Sequence, residues 1–411
     1  MALDGYVTGD LLSVANIGTA AGQIGVSGNT ISYANVSFAT TSGGTASDLV
    51  ITFSSAAATP TAVAALLNAL RYGSTSDDPT VNNTDPSRVV TVTFNDGANT
   101  KDATSTTTAL TDTLTGTINL TALKDPPVIV VTGAASYSEN GLALTVDSTT
   151  TVTDSDDTQI DGGSVSITTG FLSGDILAVT DSINITGSYN AATGVMTLSG
   201  TDTLANYQAV LRSLTYVTAS EDPTDNATKT TRVLTYSLTD ANSDGVGAAT
   251  GTTTKTINIT PSNDKPVVTA GATLAYAEND AATAIDGTIT VNDADDTQIT
   301  GATATISAGL TTGDLLAVTT QNGISGTYSA GTGVLTLTGT ATLANYQTAL
   351  RSVTYRSTSE DPTVTAVSRT VTWAVTDANS DLAGAQTSVA VTSTINITPV
   401  NDAPVMTAGA T

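Results

Sequence analysis

The chain of 411 residues contains no cysteine and no histidine. Together these absences exclude disulfide bridges, zinc sites of the usual Cys/His kind, thiol nucleophiles and imidazole general bases. Aromatic residues make up only 4% of a chain that is 39% hydrophobic. Its cores must therefore be built from Val, Ile, Leu and Ala, with an occasional Tyr. Basic residues are equally scarce, with 12 Lys and Arg against 37 Asp and Glu and a formal net charge of −25. That balance argues against nucleic acid or an anionic membrane surface as a partner, because the phosphate term in such binding needs clustered Lys and Arg. No run of 18 apolar residues is present to insert in a membrane. Residues 1–12 lack the basic start and apolar stretch of a secretory signal, so an export signal is expected outside this segment.

What is abundant is Thr, Ser, Val and 35 Gly. Thr and Val favour pleated, half-buried surfaces, so the composition leans to β-structure. The length predicts two to four domains. The acid excess has two readings: a soluble surface, or carboxylates gathered at fixed places to bind a hard cation such as Ca²⁺, which prefers oxygen ligands.

An internal repeat is the main signal. Residues 185–216 read ITGSYNAATGVMTLSGTDTLANYQAVLRSLTY, and residues 324–355 read ISGTYSAGTGVLTLTGTATLANYQTALRSVTY. The same offset links Glu139-Asn140 to Glu278-Asn279, Asp154-Ser-Asp156-Asp157 to Asp293-Ala-Asp295-Asp296, and Gly174-Asp175 to Gly313-Asp314. A more diverged copy is marked by Gly9-Asp10, which aligns with Gly174-Asp175. Each copy closes on a Pro-containing joint, at Asp125-Pro126, Asn263-Asp264-Lys265-Pro266 and Asn401-Asp402-Ala403-Pro404. Proline fixes its own φ and restricts the residue before it, so short, stiff joints are expected. The expected units are 1–125 (N-terminally incomplete), 126–264, 265–402, and 403–411 as the first strand of a fourth repeat.

Period-two alternation, as in Arg369-Thr-Val-Thr-Trp-Ala-Val-Thr, bounded by Gly, Asn and Asp, predicts about seven to nine short strands per repeat. The last of them is expected over residues 386–398. Leu204, Tyr207 and Leu211, Leu343, Tyr346 and Leu350, and the run after Pro60 have helical spacing and predict one short core-facing helix per repeat. Asp240-Ala-Asn242-Ser-Asp244 starts like an EF-hand loop, but position twelve is Gly251 where a bidentate Glu is needed, so a hairpin turn is predicted. Trp373, the single Trp, sits in an alternating strand and is expected in a core.

Together, Glu139-Asn140, Asp154-x-Asp156, Tyr216 followed by Glu221-Asp222-Pro223, Asp240-Ala-Asn-Ser-Asp244 and the Asn-Asp-x-Pro joint resemble the cadherin-like repeats of very large bacterial surface proteins. Those repeats are related in pattern to the chondroitin sulfate proteoglycan repeats of animals. The resemblance implies an all-β fold of tandem cadherin-like, Ig-like antiparallel β-sandwiches with a short helical connection in each repeat. It also implies Ca²⁺ bound where successive repeats meet. Carried over by position, the junction of repeats 2 and 3 would use Glu139, Glu221, Asp222, Asn263, Asp264, Asp293 and Asp295. The 1/2 junction would draw on Asp77, Asp78, Asp125, Asp154 and Asp156, weakened by Lys124. The 3/4 junction would use Glu278, Glu360, Asp361, Asn401 and Asp402.

Catalysis is not expected. Without His or Cys the options are carboxylate pairs or a Ser–Lys arrangement, and the five Lys stand at no equivalent positions in the repeats. The expected role is a structural stalk segment of a bacterial extracellular adhesin or surface fibre, stiffened by Ca²⁺ and partnered by its own neighbouring repeats. Two alternatives stand beside it: a filament or surface-layer subunit joined head to tail to identical chains by strand addition, and a carbohydrate-binding module.

Overall fold

A computed structural model of the chain describes residues 1–97 and 109–403. The architecture is all-β, as expected, with one short helix in each repeat. In the second repeat a six-stranded sheet runs in the order Ala135–Ser138, Thr250–Thr260, Thr231–Asp240, Gln159–Thr169, Val195–Thr203, Thr186–Asn190. A three-stranded sheet of Leu144–Thr145, Thr215–Thr218 and Asp175–Ala178 packs opposite, and Val128–Val130 pairs with Thr151–Thr153. The third repeat has the same strand order.

Alternation places the core. Along Thr231–Asp240, Arg232, Leu234, Tyr236, Leu238 and Asp240 are buried while the residues between them stay half-exposed. Ile160, Val165, Leu198, Tyr216 and Ile257 complete that core, with a matching set around Trp373 in the third repeat. Trp373 is fully buried, and its Nε1 donates to Ser393 Oγ at 2.9 Å.

In each six-stranded sheet the strand earliest in sequence lies parallel to the strand latest in sequence. Ala135–Ser138 runs beside Ile257, Asn258, Ile259 and Thr260, and Thr273–Ala277 runs beside the end of Val391–Thr398. Every other pairing in these sheets is antiparallel.

Helices α1 (Pro60–Ala69), α2 (Leu204–Arg212) and α3 (Leu343–Arg351) start at Thr59, Thr203 and Thr342, whose side chains accept an N–H of the first turn. Such a cap satisfies one of the four free donors at a helix start. Tyr207 and Leu211, like Tyr346 and Leu350, face the core.

Two details differ from expectation. Repeats 2 and 3 each hold eleven described strands rather than seven to nine, because segments as short as Leu144–Thr145 are too brief to show alternation. The last strand is Val391–Thr398, not 386–398. Before it the pairing thins to an isolated bridge between Thr376 and Thr387 and single bonds from Asp377 N–H to Gln386 O and Ser388 N–H to Val375 O, while Ser388 Oγ accepts the N–H of Val375.

Each repeat also encloses a buried Asp–Arg–Tyr set that sequence reasoning missed. Arg88, Arg232 and Arg369 donate through Nε to Asp10, Asp175 and Asp314 at 2.9, 2.6 and 2.7 Å, with both side chains of each pair fully buried. Tyr72, Tyr216 and Tyr355 donate to the same carboxylates. Burial and the adjacent carboxylate raise all three phenols, Tyr72 to about 12. Each Arg Nη2 also donates to the carbonyl of Pro79, Pro223 or Pro362, pinning the Asp-Pro loop at the end of the repeat.

The first repeat is built differently. Leu49–Phe53 and Ser87–Asn95 flank Ala2–Leu3, which pairs with Val90 and Thr91. Met1 exchanges both backbone hydrogen bonds with Leu49. Beyond Met1 an apolar cavity of about 340 Å³ opens between the flanking strands, lined by Ile51, Phe53, Leu66, Val92 and Phe94. In repeats 2 and 3 the corresponding place is occupied by Gln159–Thr169 and Gln298–Ala308.

Candidate metal centre

The junction of repeats 2 and 3 gathers two acidic groups. Glu139 follows the strand Ala135–Ser138, and its N–H is held by Thr260 O at 3.0 Å. Its Oε2 accepts the N–H of Ser262 at 2.7 Å. Glu221 comes from the loop pinned by Arg232, and Asp264 from the joint. Oxygens of Glu139, Glu221 and Asp264 all lie within 4.8 Å of one another. Burial first, then the neighbouring Asp264, Glu221 and Asp222, pushes Glu139 up to about 7.

The second group lies across the joint. Asp293 Oδ1 accepts the N–H groups of Asp295 and Asp296, a turn that fans the three carboxylates outward from one loop. Asp293, Asp296 and Asp377 bring oxygens within 4.8 Å of one another. Asn263 Nδ2 donates to Asp377 Oδ2 at 3.2 Å, and the Asp264 N–H donates to Asp295 Oδ2 at 2.7 Å. Burial raises Asp295 to about 8, helped by its contact with Asp293, and raises Asp377 and Asp381 as well.

Six buried oxygens at this one junction have no hydrogen-bond partner: Glu139 Oε1, Asn263 Oδ1, Asp293 Oδ2, Asp295 Oδ1, Asp296 Oδ2 and Asp381 Oδ2. A buried acceptor without a donor is costly, and several together, five of them carboxyl oxygens, are costlier still. These oxygens fit a hard cation. Ligands on opposite sides of a Ca²⁺ ion, each about 2.4 Å away, lie about 4.8 Å apart, so oxygens no farther apart than that can all reach one ion.

The 1/2 junction is half built. Asp154, Asp156 and Asp157 cluster within 4.8 Å, and the Asp125 N–H donates to Asp156 Oδ2 at 3.0 Å. Asp154 Oδ2, Asp156 Oδ1 and Asp244 Oδ2 are buried without partners. Burial and the adjacent Asp154 raise Asp156 to about 7. On the side of the first repeat, Asp77 is exposed and no described Glu matches Glu139. At the 3/4 junction Glu278, Glu360 and Asp402 cluster, and Glu278 Oε2 accepts the N–H of Val400 at 2.8 Å. Most of the expected fourth-repeat strand, residues 404–411, lies outside the described residues.

Not every expected ligand joins a cluster. Asp222 turns its carboxylate to the N–H and Nδ2 of Asn226, both at 2.9 Å. Asp78 serves Thr80 and Asn82 in the same way, and Asp361 serves Thr363. These three shape the loops that carry Asp77, Glu221 and Glu360. Conversely, Asp157, Asp240 and Asp244, with Asp296, Asp377 and Asp381, were not expected in the site. The Asp240-to-Asp244 segment is the predicted hairpin connection, and it also faces Asp154 and Asp157. A signal was present, since Asp240 and Asp377 occupy core-facing places in strictly alternating strands.

No family model matches the chain. Among curated proteins it is similar to halomucin of Haloquadratum walsbyi, 30% identical over an alignment covering 48% of this chain and 3% of that protein. The chain thus spans a small fraction of the length of that relative. Solved structures similar to it include the protocadherin gammaB7 EC3-6 cis-dimer, at 12% identity and TM-score 0.32, covering 96% of this chain and 67% of that one. Mouse cadherin-23 EC22-24 is similar at 10% identity and TM-score 0.28, covering 88% and 83%. Among the described residues, no helix is long and apolar enough to cross a membrane.

Proposed function

We propose that this chain is a non-catalytic structural segment of a microbial extracellular adhesin or surface fibre, with Ca²⁺ held where its repeats meet. The repeats are taken as 1–125, 126–264 and 265–402, with a fourth beginning at 403. The observation that carries the reading is the set of six unpartnered buried oxygens at the 2/3 junction. Glu139, Glu221 and Asp264 would hold one ion, and Asp293, Asp295, Asp296, Asp377 and Asn263 would line a second place. Bound cation would neutralise carboxylates contributed by both repeats and so lock the joint, which like charges otherwise loosen. Similarity to halomucin over a small part of its length supports a segment of a longer repetitive protein.

Thermal unfolding and small-angle scattering, each with Ca²⁺ and with chelator, test this. The midpoint should rise and the maximum dimension lengthen or sharpen with Ca²⁺. If neither responds, the junction assignment fails.

Strand addition between copies is the second reading, favoured by the apolar cavity beside Leu49–Phe53 at the place a strand fills in repeats 2 and 3. The donor it names is residues 403–411. Polymers that form with concentration and vanish when those residues are deleted would support it, and a monomer at all concentrations would end it.

A further inference from the structure

Seven asparagines stand two residues before Ser or Thr without an intervening proline: Asn35, Asn82, Asn119, Asn184, Asn226, Asn258 and Asn396. In a chain so rich in Thr and Ser this tripeptide arises freely, and alone it carries little. Their surroundings separate them. Asn82 and Asn226 lie in corresponding turns, each with its amide oxygen buried, and Asn226 is tied to Asp222. Asn184 donates to Asp202 at 3.4 Å. Asn35 is exposed in a turn of the first repeat.

Asn119, Asn258 and Asn396 share one place in the last strand of each repeat, at intervals of 139 (258 − 119) and 138 (396 − 258) residues. All three are exposed, and their carboxamides have no hydrogen-bond partner among the described residues. Asn is disfavoured within strands, yet Asn258 is paired on both sides, by Ser136 and Thr231. Asn396 lies between Ala275 and Ser368, and Asn119 lies opposite Ser87. Every neighbour is small, so the carboxamide stands clear of the sheet. Thr121, Thr260 and Thr398, two residues on, are also exposed, and alternation sets Thr260 and Thr398 on the same face. Nothing in the packing uses these asparagines.

We propose that Asn119, Asn258 and Asn396 are acceptors of N-linked glycans, one per repeat, transferred during export from a saccharide carried on a lipid diphosphate. The carboxamide Nδ2 forms the new bond to the anomeric carbon as the bond from that carbon to the phosphate oxygen breaks. The lipid diphosphate leaves with the electron pair, and the amide proton passes to a base of the transferase. The saccharides would stand on the wet face of the larger sheet, at one fixed distance from each joint.

The test is mass spectrometry of proteolytic peptides from protein taken from the surface or medium of its native host. The peptides containing Asn119, Asn258 and Asn396 should each carry a saccharide mass. Asn258→Gln and Thr260→Ala should each remove one saccharide, whereas Thr260→Ser keeps it. These sites are exposed, and a thermal midpoint within a few degrees of the parent's checks that each variant folds. Unmodified asparagine at any of the three sites, or a saccharide that survives Asn258→Gln, overturns the assignment.

Discussion

The backbone N–H of Asp264 donates to Asp295 Oδ2 at 2.7 Å, while the Asp264 carboxylate lies within 4.8 Å of Glu139 and Glu221 oxygens. One residue thus touches both acidic groups of its junction. Asp125 makes the matching backbone contact to Asp156 at 3.0 Å. Because the linking atoms belong to the main chain, a side-chain change at Asp264 alters one group and leaves the turn in place.

Asp264→Asn is therefore expected to weaken Ca²⁺ binding at the 2/3 junction by tenfold or more, about 1.4 kcal/mol. In chelator the variant should be as stable as the parent or slightly more so, since one like charge beside Glu139 has gone. Calorimetric titration and thermal unfolding read the two effects. An unchanged affinity would show that Asp264 is no ligand.

The pH dependence follows from three carboxyls held far above the usual value near 4. Glu139 and Asp156 sit at about 7 and Asp295 at about 8. A folded-state value above the unfolded one gives stability that is full below about pH 4 and is lost as pH rises through 7 to 8. Chelated protein should accordingly be less stable at pH 8.5 than at pH 5.5. Asp147 and Asp286, held low by hydrogen bonds to Thr and backbone groups that outweigh their burial, act with the opposite sign but only at more acid pH. Ca²⁺ needs the ionised carboxylates, so its affinity should climb from pH 5.5 to 8 with release of protons. Denaturation midpoints and titrations in buffers of different ionisation enthalpy check both signs. Greater stability of the chelated form at the higher pH would contradict the assignment.

Arg232→Met leaves Asp175 buried without its cation, and such a loss costs about 3–5 kcal/mol. Adding Asp175→Leu should recover much of that stability, because the uncompensated charge has gone. Ca²⁺ affinity should not recover, since the Pro223 carbonyl stays unpinned and Glu221 rides on that loop. Denaturant unfolding of repeat 2, with Ca²⁺ titration of the same variants, separates the two roles. A double variant that binds Ca²⁺ like the parent would show the loop is held by other contacts.

Much of the fold was legible because it is written twice. Alternation through Arg369-Thr-Val-Thr-Trp marks strand faces directly, and Leu343, Tyr346 and Leu350 mark a helix. Strands of two or three residues leave no periodic trace, and the two separate buried clusters of the first repeat, one around Ile24, Phe38 and Leu66 and one around Leu3, Leu12 and Val90, follow from pairings that no local pattern encodes. The site was legible in part. Glu139, Glu221, Asp264 and Asp293 carry local motifs, whereas Asp157, Asp240 and Asp244 converge only through pairing across 86 residues, where Ser243 bonds Asp157. Arg232 and Asp175 were hidden for the same reason, 57 residues apart in sequence.

The parallel pairing of Tyr137 with Ile259 and of Ser138 with Thr260 bears on load. A pull on both ends of the repeat draws these neighbouring strands in opposite directions along their length. Their hydrogen bonds are then sheared together rather than peeled one by one, an arrangement that resists force far better than an unzipping hairpin. In single-molecule stretching each intact repeat should yield in one abrupt high-force step, and a gradual low-force extension would refute this. The clamp closes beside Glu139, so the segment that bears tension within a repeat ends at the acidic group lying at its border with the next.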